Sequence, residues 1–218
     1  CYFLGQGVDK NDEEAIRILH EGNEKGDTQS ATQLGVFYLE GHFVEQDYRQ
    51  ARDYFKLAAD QNEPEALYSL GLMYQKALGV AQNFHQAVQY YEQASKFGSS
   101  NGIFNLALLR LKGVGVPQDT EKSIDLLNSA VSNGHGEAAL VLGDLYSRGV
   151  YVEQDFGKAL NSYSFSASHG CPEAITRIAN FYLSGVGVPQ NGKKAFEFYS
   201  IALAKGDKTA LSELGRML

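Results

Sequence analysis

The hexamer "GVGVPQ" stands at Gly113–Gln118 and again, letter for letter, at Gly185–Gln190. A glycine-rich phosphate cradle would follow a β-strand and occur once. Here the copies lie 72 residues apart, and half that interval, 36, runs through the whole chain. Leu34, Leu70, Leu106, Leu142, Ile178 and Leu214 keep it without exception, and Gly35, Gly71, Ala107, Gly143, Ala179 and Gly215 follow one residue on. Gln46, Gln82, Gln118, Gln154 and Gln190 share the register, as do Ala15, Ala51, Ala87, Ser123, Ala159 and Ala195. A fixed period of this size marks an array of small stacked units. The hexamer, with its weaker copies "GHFVEQ" (41–46), "ALGVAQ" (77–82) and "GVYVEQ" (149–154), is then a turn inside each unit.

Within a unit, "PEALYSLGLMYQKA" (64–77) sets Ala66, Leu67, Leu70, Gly71 and Tyr74 at helical spacings of three and four, which makes one apolar stripe. This is helix A. The segment "DYRQARDYFKLAADQN" (47–62) does the same with Ala51, Tyr54, Phe55 and Ala58, and forms helix B. Asp47, Asn83, Asp119, Asp155 and Asn191 stand where a short polar side chain caps the first turn of helix B. Gly26, Asn62, Gly98, Gly134, Gly170 and Gly206 stand where a left-handed residue ends it. Small residues at the Gly35 and Ala51 classes of position let the two helices close into a hairpin. The Val44, Val80, Val116, Val152 and Val188 class tucks into the groove between units, and the recurrent glutamine bonds loop backbone. Counting from residue 28 gives five complete units, 28–63, 64–99, 100–135, 136–171 and 172–207, with partial units at 1–27 and 208–218. The chain is expected to be a single solenoid domain, a fragment of a longer array.

Composition agrees with a folded protein: 44% of the 218 residues are hydrophobic and 21% charged. No apolar run approaches the roughly 20 residues that span a bilayer, so direct membrane insertion is not expected. A net charge of -7 argues against nucleic acid, which needs clustered cations. Cys1 and Cys171 make no disulfide framework, and an opening on Cys1 without Met or a signal-like segment suggests a trimmed piece.

Apparent chemistry dissolves into the repeat. His20, His42, His85, His135 and His169 share no metal-ligand spacing and read as solvated loop residues. Asp12, Glu13 and Glu14 open a helix B, where the dipole favours acids. Tyr90 and Tyr91 fall on helix B core positions, and Ser162, Ser164, Ser166 and Ser168 lack a nucleophile elbow. No catalytic residue, cofactor site or metal site is assigned.

The unit quoted in "AALVLGDLYSRGVYVEQDFGKALNSY" (138–163) resembles the Sel-one-like repeat family, a branch of the tetratricopeptide superfamily, and the resemblance covers nearly every residue. Departures are local: Ala107 and Ala179 replace glycine, Arg110 and Leu111 replace the tyrosine region, and Ser123 and Ser166 replace alanine. They should loosen or tilt single repeats. The resemblance implies an all-α, right-handed solenoid of antiparallel helix pairs, with helices A concave and helices B convex. A cysteine-rich subgroup closes a disulfide in each repeat; this chain lacks those cysteines. Roles of relatives in bacterial envelopes and host interaction lean localisation toward an exported or host-translocated protein.

With that geometry, the helix A positions off the core stripe are the candidate readers: Thr32, Val36 and Leu39, then Tyr68, Leu72 and Gln75. Asn101, Phe104, Leu108 and Lys112 follow, then Leu140, Asp144 and Arg148, then Thr176, Asn180 and Leu183, with Asn105 and Arg177 at the margin. Tyr68, Leu72, Phe104, Leu108 and Leu140 are expected to form an apolar patch that seats a protein or peptide ligand; inter-repeat packing is the alternative use of the same side chains. The leading function is a non-catalytic interaction scaffold or adaptor. End-to-end self-association through open terminal stripes, including Leu211, Leu214 and Leu218, ranks second, and a hydrolase of wall peptides or glycans ranks third.

Overall fold

The computed structural model describes residues 12–217, and over these the chain is entirely helical, with no β-strand. The helices alternate in the register of the repeat. Helices of the B class are α1 (Asp12–Glu24), α3 (Tyr48–Ala59), α5 (Phe84–Lys96), α7 (Thr120–Ser132), α9 (Phe156–Ser168) and α11 (Gly192–Ala204). Those of the A class are α2 (Thr28–Glu40), α4 (Pro64–Lys76), α6 (Ser100–Lys112), α8 (Gly136–Arg148), α10 (Pro172–Ser184) and α12 (Thr209–Met217). The expected caps begin the B helices: Asp47 accepts from the Arg49 and Gln50 amides, Asn83 from Gln86, Asp155 from Lys158 and Asn191 from Lys194. Each satisfies amides that the first turn leaves orphaned. The expected terminators also adopt positive φ, including the one non-glycine among them, Asn62 at 63°.

The A-to-B loop closes by three devices. Its first residue is left-handed, Gly41, Gly113, Gly149 and Gly185 in four repeats and Ala77 in the second. The amide of the B cap donates back to helix A, as from Asp47 to the Tyr38 carbonyl and from Asn191 to that of Tyr182. The recurrent glutamine then donates its side-chain amide to a carbonyl seven residues earlier: Gln46 to Leu39, Gln82 to Gln75, Gln118 to Leu111, Gln154 to Ser147 and Gln190 to Leu183, all at 2.8–2.9 Å. These carbonyls belong to the last turn of helix A, which has no partner of its own. The valine class is half-buried throughout, with Val80 and Val188 packed on core clusters.

The described chain divides into two compact units, the first ending at Asp119 and the second beginning at Thr120. In the first, each helix from α1 to α5 contacts its successor, and the A helices also touch in turn, α2 on α4 and α4 on α6. Its core includes Ala51, Phe55, Leu70 and Met73. In the second, α7 to α12 are likewise in serial contact and α10 touches α12, over cores built on Tyr163 and Tyr199. Small-against-large pairing sets the hairpin spacing: a methyl added at Gly35, Gly71 or Gly143 would sit 2.5–2.6 Å from the ring of Phe55, Tyr91 or Tyr163. Ser166, fully buried where the other repeats carry Ala58, Ala94, Ala130 and Ala202, leaves its hydroxyl without a hydrogen-bond partner.

Candidate functional site

In the first unit the contact of α2 with α4 leaves a groove of about 580 Å³ along the A-helix face. Val36, Leu39, Tyr68 and Leu72 supply its apolar lining; all four are half-buried, and Tyr68 is held by ring stacking on Tyr91 with centroids 6.0 Å apart. Thr32 lines it too, its hydroxyl donating to the Thr28 carbonyl at 2.8 Å. The expected readers of the first two repeats are thus brought together, with one exception. Gln75 lies outside the lining: its side-chain oxygen accepts from the buried Tyr91 hydroxyl at 2.5 Å and its carbonyl accepts from Gln82.

Sequence reasoning missed the polar rim, made of Gln29, Gln33, Glu40, Glu63 and Glu65. Glu65 accepts from the Ser99 hydroxyl at 3.0 Å and from the Asn101 side-chain amide at 3.3 Å, so Asn101 is occupied by the neighbouring repeat. Glu63 accepts from the Thr28 hydroxyl at 3.2 Å.

On α6 the expectation needs correction. Phe104 is 8% exposed and belongs to the core, along with Ile103, Leu106 and Ala107 of the same helix. Its ring fills space at the register position where Thr32 is half-buried, so it is not a solvent-facing reader. Leu108 is half-buried and Lys112 exposed. Asn105 turns onto its own helix, donating to the Asn101 carbonyl. Arg110, in the tyrosine register, pairs with Glu92 on α5 at 2.7 Å, whereas Tyr38, Tyr74 and Tyr182 stack on a helix B ring.

In the second unit the polar candidates form intramolecular bonds. Asp144 accepts from the Tyr163 hydroxyl at 2.8 Å and pairs with Arg177 at 3.0 Å, tying the α8–α9 repeat to α10. Burial is the main cause that pushes the Tyr163 phenol up to about 12. Asn180 accepts from the Tyr199 hydroxyl. Thr176 is 4% exposed and donates to the buried Asp207, a second correction to the reader set. Leu140 and Leu183 pack against core clusters, and Arg148 remains exposed.

The histidine reading is corrected at three positions: His20 lies on α1, half-buried with its ring edge-on to Tyr54, His85 lies on α5, and His135 caps a helix. His135 is a half-buried N-cap of α8, its Nδ1 accepting from the Ala138 amide at 3.2 Å, and burial lowers its pKa. Asp27, Ser99 and Asp207 cap helix A at the same register. Glu63 and Cys171 stand there without a side-chain cap bond, each followed by a proline at the first helical position, where its missing N–H costs nothing. Glu13 and Glu14 open α1, and Glu14 pairs with Arg17; Cys1 lies outside the described residues. Among the described residues no group of three or more His, Cys, Asp or Glu side chains is placed to hold a metal ion. No described helix is long and apolar enough to cross a membrane.

Comparison with known proteins agrees with the repeat. A protective antigen of uropathogenic Escherichia coli with an SLR fold is 30% identical over 99% of this chain, with a TM-score of 0.79. The chain spans about half of that antigen, 46% of its length. A Sel1 repeat protein of Oxalobacter formigenes is 25% identical over 94% of this chain and 81% of its own, with a TM-score of 0.84. A Klebsiella pneumoniae protein described as a Sel1 repeat protein shares the fold at 23% identity, covering 93% of this chain and 98% of its own with a TM-score of 0.63. No curated protein matched the sequence. The Sel1 repeat model matches at residues 1–27, 28–63, 64–98, 100–135, 136–171 and 172–207. The chain therefore belongs to the Sel1 repeat family, whose members generally act as non-enzymatic scaffolds for protein–protein interaction.

Proposed function

We propose that this chain is a protein-binding scaffold whose A-helix face in the first unit receives a peptide segment, free or carried by a folded partner. The observation that carries the reading is the groove between α2 and α4, with Val36, Leu39, Tyr68 and Leu72 half-open to solvent inside a polar rim. Apolar surface left in water is a standing source of binding free energy, about 25 cal/mol for each Å² a partner covers. An apolar lining with a few directed polar groups fixes both affinity and orientation. The titratable clusters noted in the sequence have structural uses in capping and ion pairing, which supports a non-catalytic role.

Affinity capture from a native extract with the tagged chain, run beside its Leu72→Gln variant, tests this. The wild type retains a partner that the variant loses, while circular dichroism and melting of the two proteins agree. Equal retention by both defeats the assignment of the groove, and a loss of helicity in the variant shows Leu72 to be structural.

A further inference from the structure

We infer that the occupant of the α2–α4 groove is a cationic segment, one that presents lysine or arginine beside aliphatic side chains. The inference rests on the docking role proposed above and adds the chemistry of the partner.

Three carboxylates, Glu40, Glu63 and Glu65, line the groove, with Glu63 bonded at the first residue of α2 and Glu40 at the last residue of that helix. Their bonds position them without neutralising them. Thr28, Ser99 and Asn101, which hold Glu63 and Glu65, are all uncharged donors. Glu40 lies 3.1 Å from His42, a ring that carries charge only when protonated. Among the described residues that line the groove, none carries a guanidinium or ammonium. Helix α2 has no lysine or arginine in its sequence, and α4 has only Lys76, outside the lining. On α6, Arg110 is engaged by Glu92.

Helix stability explains part of this charge and leaves the rest. Glu65 lies in the first turn of α4, where the helix dipole favours an acid. Glu40 is the last residue of α2, where the dipole disfavours one. The repeat sharpens the point: its register neighbours are Lys76, Lys112 and Arg148, each a cation in the last turn of its helix, and the neutral Ser184. Of these five repeats only the first places an acid here, and it does so at the rim of the groove. With carboxylates at both ends of the apolar floor, a segment that brings lysine or arginine to either rim gains attraction there while its aliphatic neighbours cover the floor. An anionic segment meets the opposite balance.

The test is selection of short random peptides displayed on phage against the whole chain, with retained clones sorted by loss of binding to Leu72→Gln. Gln33→Trp, at an exposed rim position, serves as a second blocking variant, so that a folding defect in the first does not decide the sorting. Clones that depend on the groove should be enriched in lysine and arginine beside leucine, isoleucine or valine. Their affinity should fall about threefold in Glu40→Gln and about tenfold in Glu40→Lys, as expected for partly exposed ion pairs, and should weaken with added salt. Groove-dependent clones that are neutral or acidic overturn the inference and leave the docking role standing. If no clone depends on either blocking variant, both fall.

Discussion

Gly71→Ala is the substitution on which the packing argument can be pressed hardest, because two effects of similar size oppose each other. In an unconstrained helix interior, alanine is favoured over glycine by about 1 kcal/mol. Here the new Cβ would lie 2.6 Å from Tyr91 Cε1 and 2.7 Å from Cδ1, where carbon atoms ordinarily rest about 3.5–4.0 Å apart. Tyr91 has little freedom to yield: it is fully buried, its hydroxyl is bound to Gln75, and its ring stacks on Tyr68. Overpacking of that kind costs about 1–3 kcal/mol, so the net expectation is a loss of about 1 kcal/mol and a Tm lower by about 2–4 °C. The third repeat carries Ala107 and Leu127 at the equivalent positions, which suggests the control: in a Tyr91→Leu background, Gly71→Ala should be neutral or stabilising. The fifth repeat buries Ala179 and Tyr199 together, so a hairpin can be built around both, and the penalty at Gly71 reports how firmly the second repeat's spacing is fixed. A thermal and urea melting series on the four proteins decides the matter. A higher Tm for Gly71→Ala alone would show that the close approach is not what selects glycine in this register.

Three further outcomes follow from particular side chains. Ser166→Ala removes a buried hydroxyl without a partner and should stabilise the chain by about 1 kcal/mol, read as a higher urea midpoint. Phe104→Ala should cost about 3–5 kcal/mol, since the ring is core; a variant with unchanged melting would return Phe104 to the surface. Burial opposes the charge of Asp207, but the bonds from the Thr176 hydroxyl and from the Thr209 hydroxyl and amide outweigh it and hold the pKa below the usual carboxylate value. Its contribution is therefore complete above the unfolded pKa of about 3.9 and is lost as pH falls through the lower folded value. Urea midpoints measured downward from about pH 5 should drop more steeply in the wild type than in Asp207→Asn.

The architecture was legible because it is written many times over. Each repeat restates the same caps, the same left-handed terminators and the same glutamine, so the Gln82 bond to the Gln75 carbonyl could be expected from a register alone. The helix A caps were equally periodic, at Asp27, Ser99, His135 and Asp207. They were overlooked because the class mixes residue types and a histidine in a turn looks solvated. The reader set was only partly legible. Apolar class does not tell whether a ring faces an open groove, as at Tyr68, or fills the core, as at Phe104; the angle between neighbouring helices decides, and no spacing encodes it. Likewise Asp144 reads as a free carboxylate until Arg177 and Tyr163 are seen to meet it. The charge inversion at Glu40 against Lys76, Lys112 and Arg148 lay open in the sequence, but it acquires a meaning only once α2 and α4 are known to flank a groove.

The central claim is that this groove takes hold of another polypeptide, and amide hydrogen exchange of the chain with and without a groove-selected cationic peptide tests it most directly. The account predicts slowed exchange in α2 and α4, absent in Leu72→Gln, because covering the lining suppresses local opening of the helices that flank it. Slowing confined to α3 and α5, the helices on the opposite side of the same hairpins, would contradict it.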